Sequence, residues 1–432
     1  MPTPRKKIVI ASLGTRGDVQ PYVALARDLA KMGADVVVTT GEGFDDMITA
    51  AGARSRPVPL DYQALLQNED IQAALFTLKG KIRAARKNID LQKEAARRLW
   101  QIGMQEKPDL ILFNLKATVL TLVARHLDVP ALPTALQPVS AATGSFPLPL
   151  FGLPDLGPFL NRQSYAIGRS LMRLGIAPLA KAVRAEAGTK DAPAHSRDLM
   201  DGHMPGGGSP LSLQAFSRGL VPTPPDWPEN NWACGYWLTE PDPNYVPPED
   251  LASFLENGPE PIYLGFGSMP SRNPAKLTET VLAALEQTGQ RAILATGWGG
   301  LSGQSLPRTL SGRVFLLDKA PHSWLFPRCA AIVHHGGAGT THEALRWGKP
   351  SLVCPVFGDQ PFWGAQVHKI GAGPAPIRQK SLTPSKLARA LMQLEDPVYR
   401  VGAKRVADIM ASEPGARGTA ERLLSMIGAD RI

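Results

Sequence analysis

Cysteine is scarce in this chain: Cys234, Cys329 and Cys354 are the only three in 432 residues, and they are widely spaced. An odd, scattered set excludes a disulfide framework and a thiolate zinc site, and points to a reducing, cytoplasmic setting. No apolar run approaches the roughly 20 residues needed to cross a bilayer. Histidine is absent ahead of His126, so any proton chemistry before that position falls to other side chains. Met1 to Lys7 is basic but leads straight into a strand without a cleavage site, so no signal peptide is expected. Apolar residues make up 44% of the chain and charged residues 20%; together with the length, this describes a folded protein of two domains. There is no short internal repeat and no low-complexity tract.

The net charge of +9 is unevenly placed. Up to Phe216 there are 26 Lys/Arg against 19 Asp/Glu, and beyond it 21 against 19. Most of the excess lies in Lys79 to Arg98, with eight basic residues and two acidic. Leu75, Leu78, Ile82, Ala85, Ile89, Ala96 and Leu99 recur there at helical spacing. Such a basic amphipathic helix has two readings: a solvated face, or a peripheral contact with an anionic membrane. Nothing in the pattern calls for nucleic acid.

Alternating strands and helices run through the first half: Ile8 to Leu13, Tyr22 to Met32, Asp35 to Thr40, Gly43 to Ala51, then Asp109 to Asn114, Thr118 to Leu127 and Ala131 to Ala135. This alternation builds a parallel sheet covered by helices. Phe146 to Leu160 is apolar and rich in proline and glycine, which reads as a loop that covers or lines a pocket. Gly188 to Pro210 is irregular. From Val221 to Pro248 prolines crowd the chain, as in a stiff connection between domains. A second alternating set follows: Pro261 to Phe266, Lys276 to Thr288, Arg291 to Ala295 and Val314 to Leu317. The expected division is a first α/β domain at 1–220, a linker at 221–248, a second α/β domain at 249–396, and closing helices at 397–432.

The most informative stretch is His334-His335-Gly336-Gly337-Ala338-Gly339-Thr340-Thr341-His342-Glu343, followed by Gly358-Asp359-Gln360-Pro361. It predicts a strand at Ala330 to Val333, a glycine-rich turn, and a helix from about Thr341 to Trp347. Glycines let the backbone press against a ligand, and the helix start attracts a phosphate. A strand at Ser351 to Pro355 then delivers Asp359 and Gln360 to the same sheet edge, where open α/β sheets bind ligands. A diphosphate carrying a polyhydroxylated group is the natural guest. The spacing of His334, His335 and His342 matches no common zinc pattern, so no metal is expected.

These motifs resemble the nucleotide-sugar signature of the family 1 GT-B glycosyltransferases, most of all the sterol 3-beta-glucosyltransferases and next the antibiotic aglycone glycosyltransferases. The likeness is carried by Pro321-His322-Ser323-Trp324-Leu325-Phe326, the His334 to Thr341 run, Gly358 to Gly364 and Gly373 to Ile377. At the other end it is carried by Gly14-Thr15-Arg16-Gly17-Asp18-Val19-Gln20-Pro21, and between them by Asp226-Trp227-Pro228 and Gly235-Tyr236-Trp237. It implies two Rossmann-like doubly wound parallel-sheet domains facing across a cleft, with the closing helices crossing back onto the first domain. The implied reaction is transfer of glucose from UDP-glucose to a hydroxyl of a lipophilic acceptor, with inversion and without a cofactor.

The resemblance also assigns residues. Asp18 would be the catalytic base, its plain alternative being a loop aspartate near a helix start. His335, Gly337, Gly339 and Thr340 would hold the diphosphate, with Gly17 and Ser268 beside the donor. Glu343 would accept the ribose hydroxyls, although Thr340-x-x-Glu343 also spells a capping box. Asp359 and Gln360 would bind the sugar, although aspartate before a proline is often a helix cap. Trp298 and the His322-Ser323-Trp324 turn would flank the base, since Lys319 stands where plant members stack it on tryptophan. Phe146, Leu148, Leu150 and Phe151 would meet the acceptor. Three rival functions stay open: a polyketide, glycopeptide or flavonoid-like aglycone transferase using a UDP- or dTDP-sugar, a UDP-sugar epimerase, and a catalytically dead nucleotide-sugar-binding protein.

Overall fold

The computed structural model describes residues 5–67, 88–188, 197–267, 273–296 and 306–428. It opens with β1 (Lys7–Ala11), α1 (Arg16–Lys31), β2 (Asp35–Thr39), α2 (Asp45–Ala50), β3 (Arg54–Ser55) and α3 (Tyr62–Gln67). Then come α4 (Ile89–Glu106), β4 (Leu110–Phe113), α5 (Leu120–Leu127), β5 (Ala131–Ala135), α6 (Pro158–Ala187) and α7 (Arg197–Met200). Two short strands, β6 (Ser212–Gln214) and β7 (Asn231–Ala233), complete a parallel sheet in the order β3-β2-β1-β4-β5-β6-β7. Its strands β1, β2, β4 and β5 are buried on both faces, which is why they read as largely apolar runs, while the edge strands β3 and β7 are half-buried.

The second half contains α8 (Glu249–Glu256), β8 (Ile262–Gly265), α9 (Pro274–Thr288), β9 (Ala292–Ala295), β10 (Val314–Leu317), α10 (His322–Leu325) and β11 (Ala331–His334). It continues through α11 (Ala338–Arg346), β12 (Ser351–Val353), α12 (Gln360–Lys369), α13 (Pro384–Gln393), α14 (Pro397–Ala411) and α15 (Gly415–Gly428). These strands form a second parallel sheet, β10-β9-β8-β11-β12. The order reverses at β8/β11, the switch point where such sheets open a ligand crevice.

The last two helices bind the halves together. α15 packs on α1 and α14 on α11. The Trp237 indole donates to Thr419 Oγ1 at 3.2 Å, and the Glu413 carboxylate accepts the Arg218 N–H at 2.6 Å.

Several elements depart from the patterning. α6, 30 residues long, has no counterpart among the expected elements. Gly168, Gly175 and Pro178 interrupt its pattern, and its outer face carries exposed Leu160, Ile167, Leu171 and Leu174. Its start at Pro158 shortens the loop expected to Leu160. The stretch 221–248 is more than a connection, because β7 lies inside it and pairs with β6. Among the described residues, no helix is long and apolar enough to cross a membrane.

Candidate active site

β11 ends at His334, and the chain turns at Gly336 with φ of +92°. A side chain at Gly336 would meet Val353 Cγ1 at 2.6 Å and the Gln360 carbonyl at 3.0 Å, so both torsion and space require glycine. The helix then begins earlier than expected, at Ala338 with Gly337 as N-cap. Thr341 donates its N–H to the Gly337 carbonyl at 3.0 Å, while the N–H groups of 338–340 are the open ones of the first turn. The sheet edge therefore presents a concentrated patch of donors and the positive end of a helix.

The histidines around this turn are neutral. Burial pushes His335 down to about 4, and its Nδ1 is buried without a partner among the described residues. Its ring lies against Gly267 and Gly337, where a Cβ would come within 2.8 Å and 2.6 Å of it. His335 thus stands between the end of β8 and the glycine turn, able to donate one neutral N–H. His334 is fully buried; its Nδ1 accepts the Gly336 N–H at 3.1 Å, and its Nε2 has no partner among the described residues. His322 is also pushed to about 4, by burial and then by His335 and Arg16. It stacks on Phe326 at 4.4 Å and meets the Tyr263 hydroxyl at 3.2 Å. Ser323 is half-buried beside it, and Trp324 packs edge-on to Tyr245 with Arg328 over its ring.

Glu343 is not a cap. With the helix starting at Ala338, Thr340 is already inside it, and the capping-box spacing is coincidental. The Glu343 carboxylate accepts the Trp347 indole N–H at 2.7 Å and lies 3.9 Å from Arg346. Burial pushes its pKa up, against the pull of Arg346 and Trp347. Asp359 does occupy the N-cap position of α12, but its side chain makes no capping bond there. Instead it accepts the Trp363 indole N–H at 2.7 Å, and burial raises its pKa. Gln360 is buried; its Oε1 accepts the N–H of Val356 at 2.8 Å, and its Nε2 makes no bond among the described residues. Asp359 and Gln360 are thus anchored through one atom each, Oδ2 and Oε1, while Glu343 is held at Oε1 by Trp347 and at Oε2 by the more distant Arg346.

Asp18 lies in the first turn of α1, because that helix begins at Arg16 rather than at Tyr22. Thr15 is the N-cap, and its N–H donates to Asp18 Oδ2 at 2.8 Å, the return arm of a capping box. Gly14, with φ of +150°, makes room: a Cβ there would fall 2.1 Å from Asp18 Oδ2. Lys116 Nζ approaches the same oxygen at 3.4 Å, and among the described residues the side-chain bonds to this carboxylate all fall on Oδ2. Pro21 sits inside the helix and has no N–H to give to the Gly17 carbonyl, one turn earlier.

The four expected acceptor residues divide. Phe146 and Leu148 are packed inside, Phe146 against Phe362 at 5.1 Å between ring centres. Leu150 and Phe151 are exposed, at the head of a run continuing through Leu153, Leu156 and Phe159. The backbone at Gly152 reaches the second half, where a Cβ would touch Pro361 at 3.3 Å and Arg378 binds its carbonyl. Ser268, Trp298 and residues 79–87 of the basic segment lie outside the described residues. Sequence reading assigned no role to Lys116, to Gln137, whose amide lowers the Asp359 pKa, or to Tyr236 within the Gly235-Tyr236-Trp237 motif. Lys116 and Gln137 follow the carboxyl ends of β4 and β5, the position that could have marked them. Among the described residues, no three His, Cys, Asp or Glu converge as a metal site would require.

Two domain families match the chain: the Glycosyltransferase family 28 N-terminal domain over residues 8–139 and the Erythromycin biosynthesis protein CIII-like C-terminal domain over 300–426. The sterol 3-beta-glucosyltransferase UGT80A2 of Arabidopsis thaliana is 35% identical over 96% of this chain, which spans 64% of that protein. The O-mycaminosyltylonolide 6-deoxyallosyltransferase of Streptomyces fradiae is 30% identical, over 95% of this chain and 94% of its own length. Among solved structures, the calicheamicin glycosyltransferase CalG4 matches with a TM-score of 0.70 at 17% identity, covering 100% of both chains. The glycosyltransferase VinC, in complex with dTDP, gives 0.66 at 19% identity, covering 98% of this chain and 99% of its own. The two facing parallel sheets are therefore a GT-B fold. The chain belongs to the GT-B glycosyltransferases that include the sterol 3-beta-glucosyltransferases and the antibiotic glycosyltransferases.

Proposed function

We propose that this chain transfers glucose from UDP-glucose to a hydroxyl of an apolar acceptor, a sterol or sterol-like molecule, with inversion and without a metal. The observation that carries this reading is the glycine turn at β11, with open N–H groups and His335 on one side and Asp359 and Gln360 on the other. The diphosphate would lie against the N–H groups of 338–340 and His335, the ribose against Glu343, and the sugar against Asp359 and the Gln360 amide. Ser268, Gly337, Gly339, Thr340 and Gly17 complete the donor side, and His322, Ser323, Trp324 and Trp298 the base side. The helix end and neutral N–H donors would stabilise the departing UDP in place of a cation.

Asp18 would take the acceptor proton at Oδ1 as the acceptor oxygen bonds to the anomeric carbon and the bond to UDP breaks. One displacement opposite the leaving group inverts the centre. Lys116 and the Thr15 N–H fix the other oxygen, so the base is held at one orientation. An apolar acceptor is supported by the exposed run from Leu150 to Phe159, beside Gly152 and the Asp359 loop. Under this reading residues 1–220 bind the acceptor and 249–396 the donor, with 221–248 joining them and 397–432 returning to the first body. A cytoplasmic protein touching an anionic membrane face through Lys79 to Arg98 would meet such acceptors where they reside.

A second reading is favoured by the Streptomyces relative, matched nearly end to end: a natural-product aglycone transferase using a dTDP-sugar. Incubation with UDP-glucose or dTDP-glucose, each with a sterol or a macrolide aglycone, separates the two by mass of product. Glucosylated sterol from UDP-glucose is the expected outcome. Release of free UDP alone, an epimerised sugar, or no turnover with any pair would sink the proposal.

A further inference from the structure

We propose that the Tyr236 hydroxyl donates a hydrogen bond to the diphosphate of the bound nucleotide sugar, beside the open N–H groups of α11. The inference rests on the donor-site reading above and adds to it a residue from outside the second sheet. Tyr236 follows β7 and is 5% exposed, yet its hydroxyl has no hydrogen-bond partner among the described residues. A buried hydroxyl left unpaired costs free energy that a phenylalanine would not. The ring is not free to search for a partner. It stacks on the His342 imidazole at 4.1 Å and 13°, and His342 is fixed in turn by the Ala338 carbonyl at 2.7 Å and the Ser217 N–H at 3.2 Å.

This stacking aims the hydroxyl at the first turn of α11. A Cβ at Gly339 would come within 3.2 Å of it and would meet nothing else, so the glycine keeps a space between hydroxyl and helix start. α11 spans nine residues, and Gly339 lies in its first turn, whose N–H groups have no acceptor within the helix. Burial first, then Asp18, Asp359 and Glu343, pushes the phenol pKa up, so the group remains a donor. Those three carboxylates belong to the parts assigned to the acceptor, the sugar and the ribose. In a nucleotide sugar, the group that joins sugar to ribose is the diphosphate. A phenol proton beside Gly339 at the helix start that feels the charge of all three therefore finds its acceptor there.

The test is Tyr236→Phe, with calorimetric binding of UDP and of uridine and thermal unfolding of the ligand-free protein. The variant is expected to bind UDP roughly 10- to 100-fold more weakly, the usual loss for a bond to a charged group. Uridine should bind as it does to the parent, and the ligand-free unfolding temperature should stay or rise because an unpaired hydroxyl is removed. Three results would overturn the inference: UDP affinity within twofold of the parent, an equal loss for uridine, or a lower ligand-free unfolding temperature, which would reveal a partner within the protein. A parent protein that binds neither UDP nor dTDP removes the donor site itself, and the inference with it; a parent that binds UDP beside an indifferent variant removes Tyr236 alone.

Discussion

Acid should weaken the seam between the two halves through one histidine. His342 is fully buried on α11, donates from Nδ1 to the Ala338 carbonyl, and accepts at Nε2 the N–H of Ser217 from the first half. A proton added at Nε2 would point at an N–H that has no other acceptor there. Burial accordingly pushes its pKa from 6.5 down to about 4, slightly offset by the bond to Ala338. Because the folded value lies below the unfolded one, the contribution is intact above pH 6.5 and is lost as the pH falls towards 4. At pH 5 the loss is about 2 kcal/mol, from about 1.4 kcal/mol per unit of pKa difference. His322 and His335 lose stability in the same window, while the raised pKa values of Glu343, Asp359 and Glu413 act with the opposite sign. The clean measurement is therefore a difference. Urea unfolding of the parent and of His342→Gln, at pH 7.5 and pH 5, cancels the groups the two proteins share. The parent should lose about 2 kcal/mol more than the variant between the two pH values. A difference that changes by less than about 0.5 kcal/mol would mean that His342 titrates normally and that burial does not hold it neutral.

Asp18→Asn should lower turnover by at least roughly 100-fold with UDP affinity unchanged, since a lost base affects the chemical step; turnover within a few-fold of the parent would take Asp18 out of the reaction. Glu343→Gln keeps an acceptor for the Trp347 indole and removes a buried charge, so unfolding stability should hold or rise at pH 7.5 while UDP affinity falls about 10-fold. A stability loss of about 1 kcal/mol with affinity intact would make the residue structural. Reversing Lys81, Arg86 and Lys93 to Glu should abolish sedimentation with phosphatidylserine vesicles, at about 1 kcal/mol per neutralised charge and more on reversal. The parent's vesicle binding should fall steeply with salt; no binding by the parent at low salt would refute the membrane contact.

Parallel strands buried on both faces leave unbroken apolar runs, so β5 was readable residue for residue and most other strands to within a few positions. The glycine turn was readable because Gly336 meets both torsional and steric demands that no other residue can. Helix starts were harder. The spacing Thr340-x-x-Glu343 and the sequence Asp359-Gln-Pro both suggest caps, and only the position of the preceding turn shows that neither side chain caps. The true capping box, Thr15 to Asp18, was hidden because the helix was expected to start only near Pro21, which left Asp18 in a loop. α6 was invisible because its outward face is apolar, against the usual division of a surface helix. Lys116 and Gln137 have no motif of their own, and Tyr236 stood in a motif that gave it no role; the fold brings all three towards the glycine turn and Asp18.

The packing of α15 on α1 has a consequence for synthesis. Ala416, Ala420, Leu423 and Ile427 cover α1, yet they are made only after the whole second sheet. At 5–20 residues per second, roughly 20 to 80 seconds separate the appearance of α1 from that of its cover. Through that interval the nascent first half carries an unsealed apolar seam, while the second sheet, contiguous in the chain, can fold as a unit. Closing a loop of such length adds little entropy cost per added residue but slows the search. Assembly thus ends at the helix that bears Asp18, and a ribosome stalled before residue 415 would display a formed second sheet beside an unsealed partner.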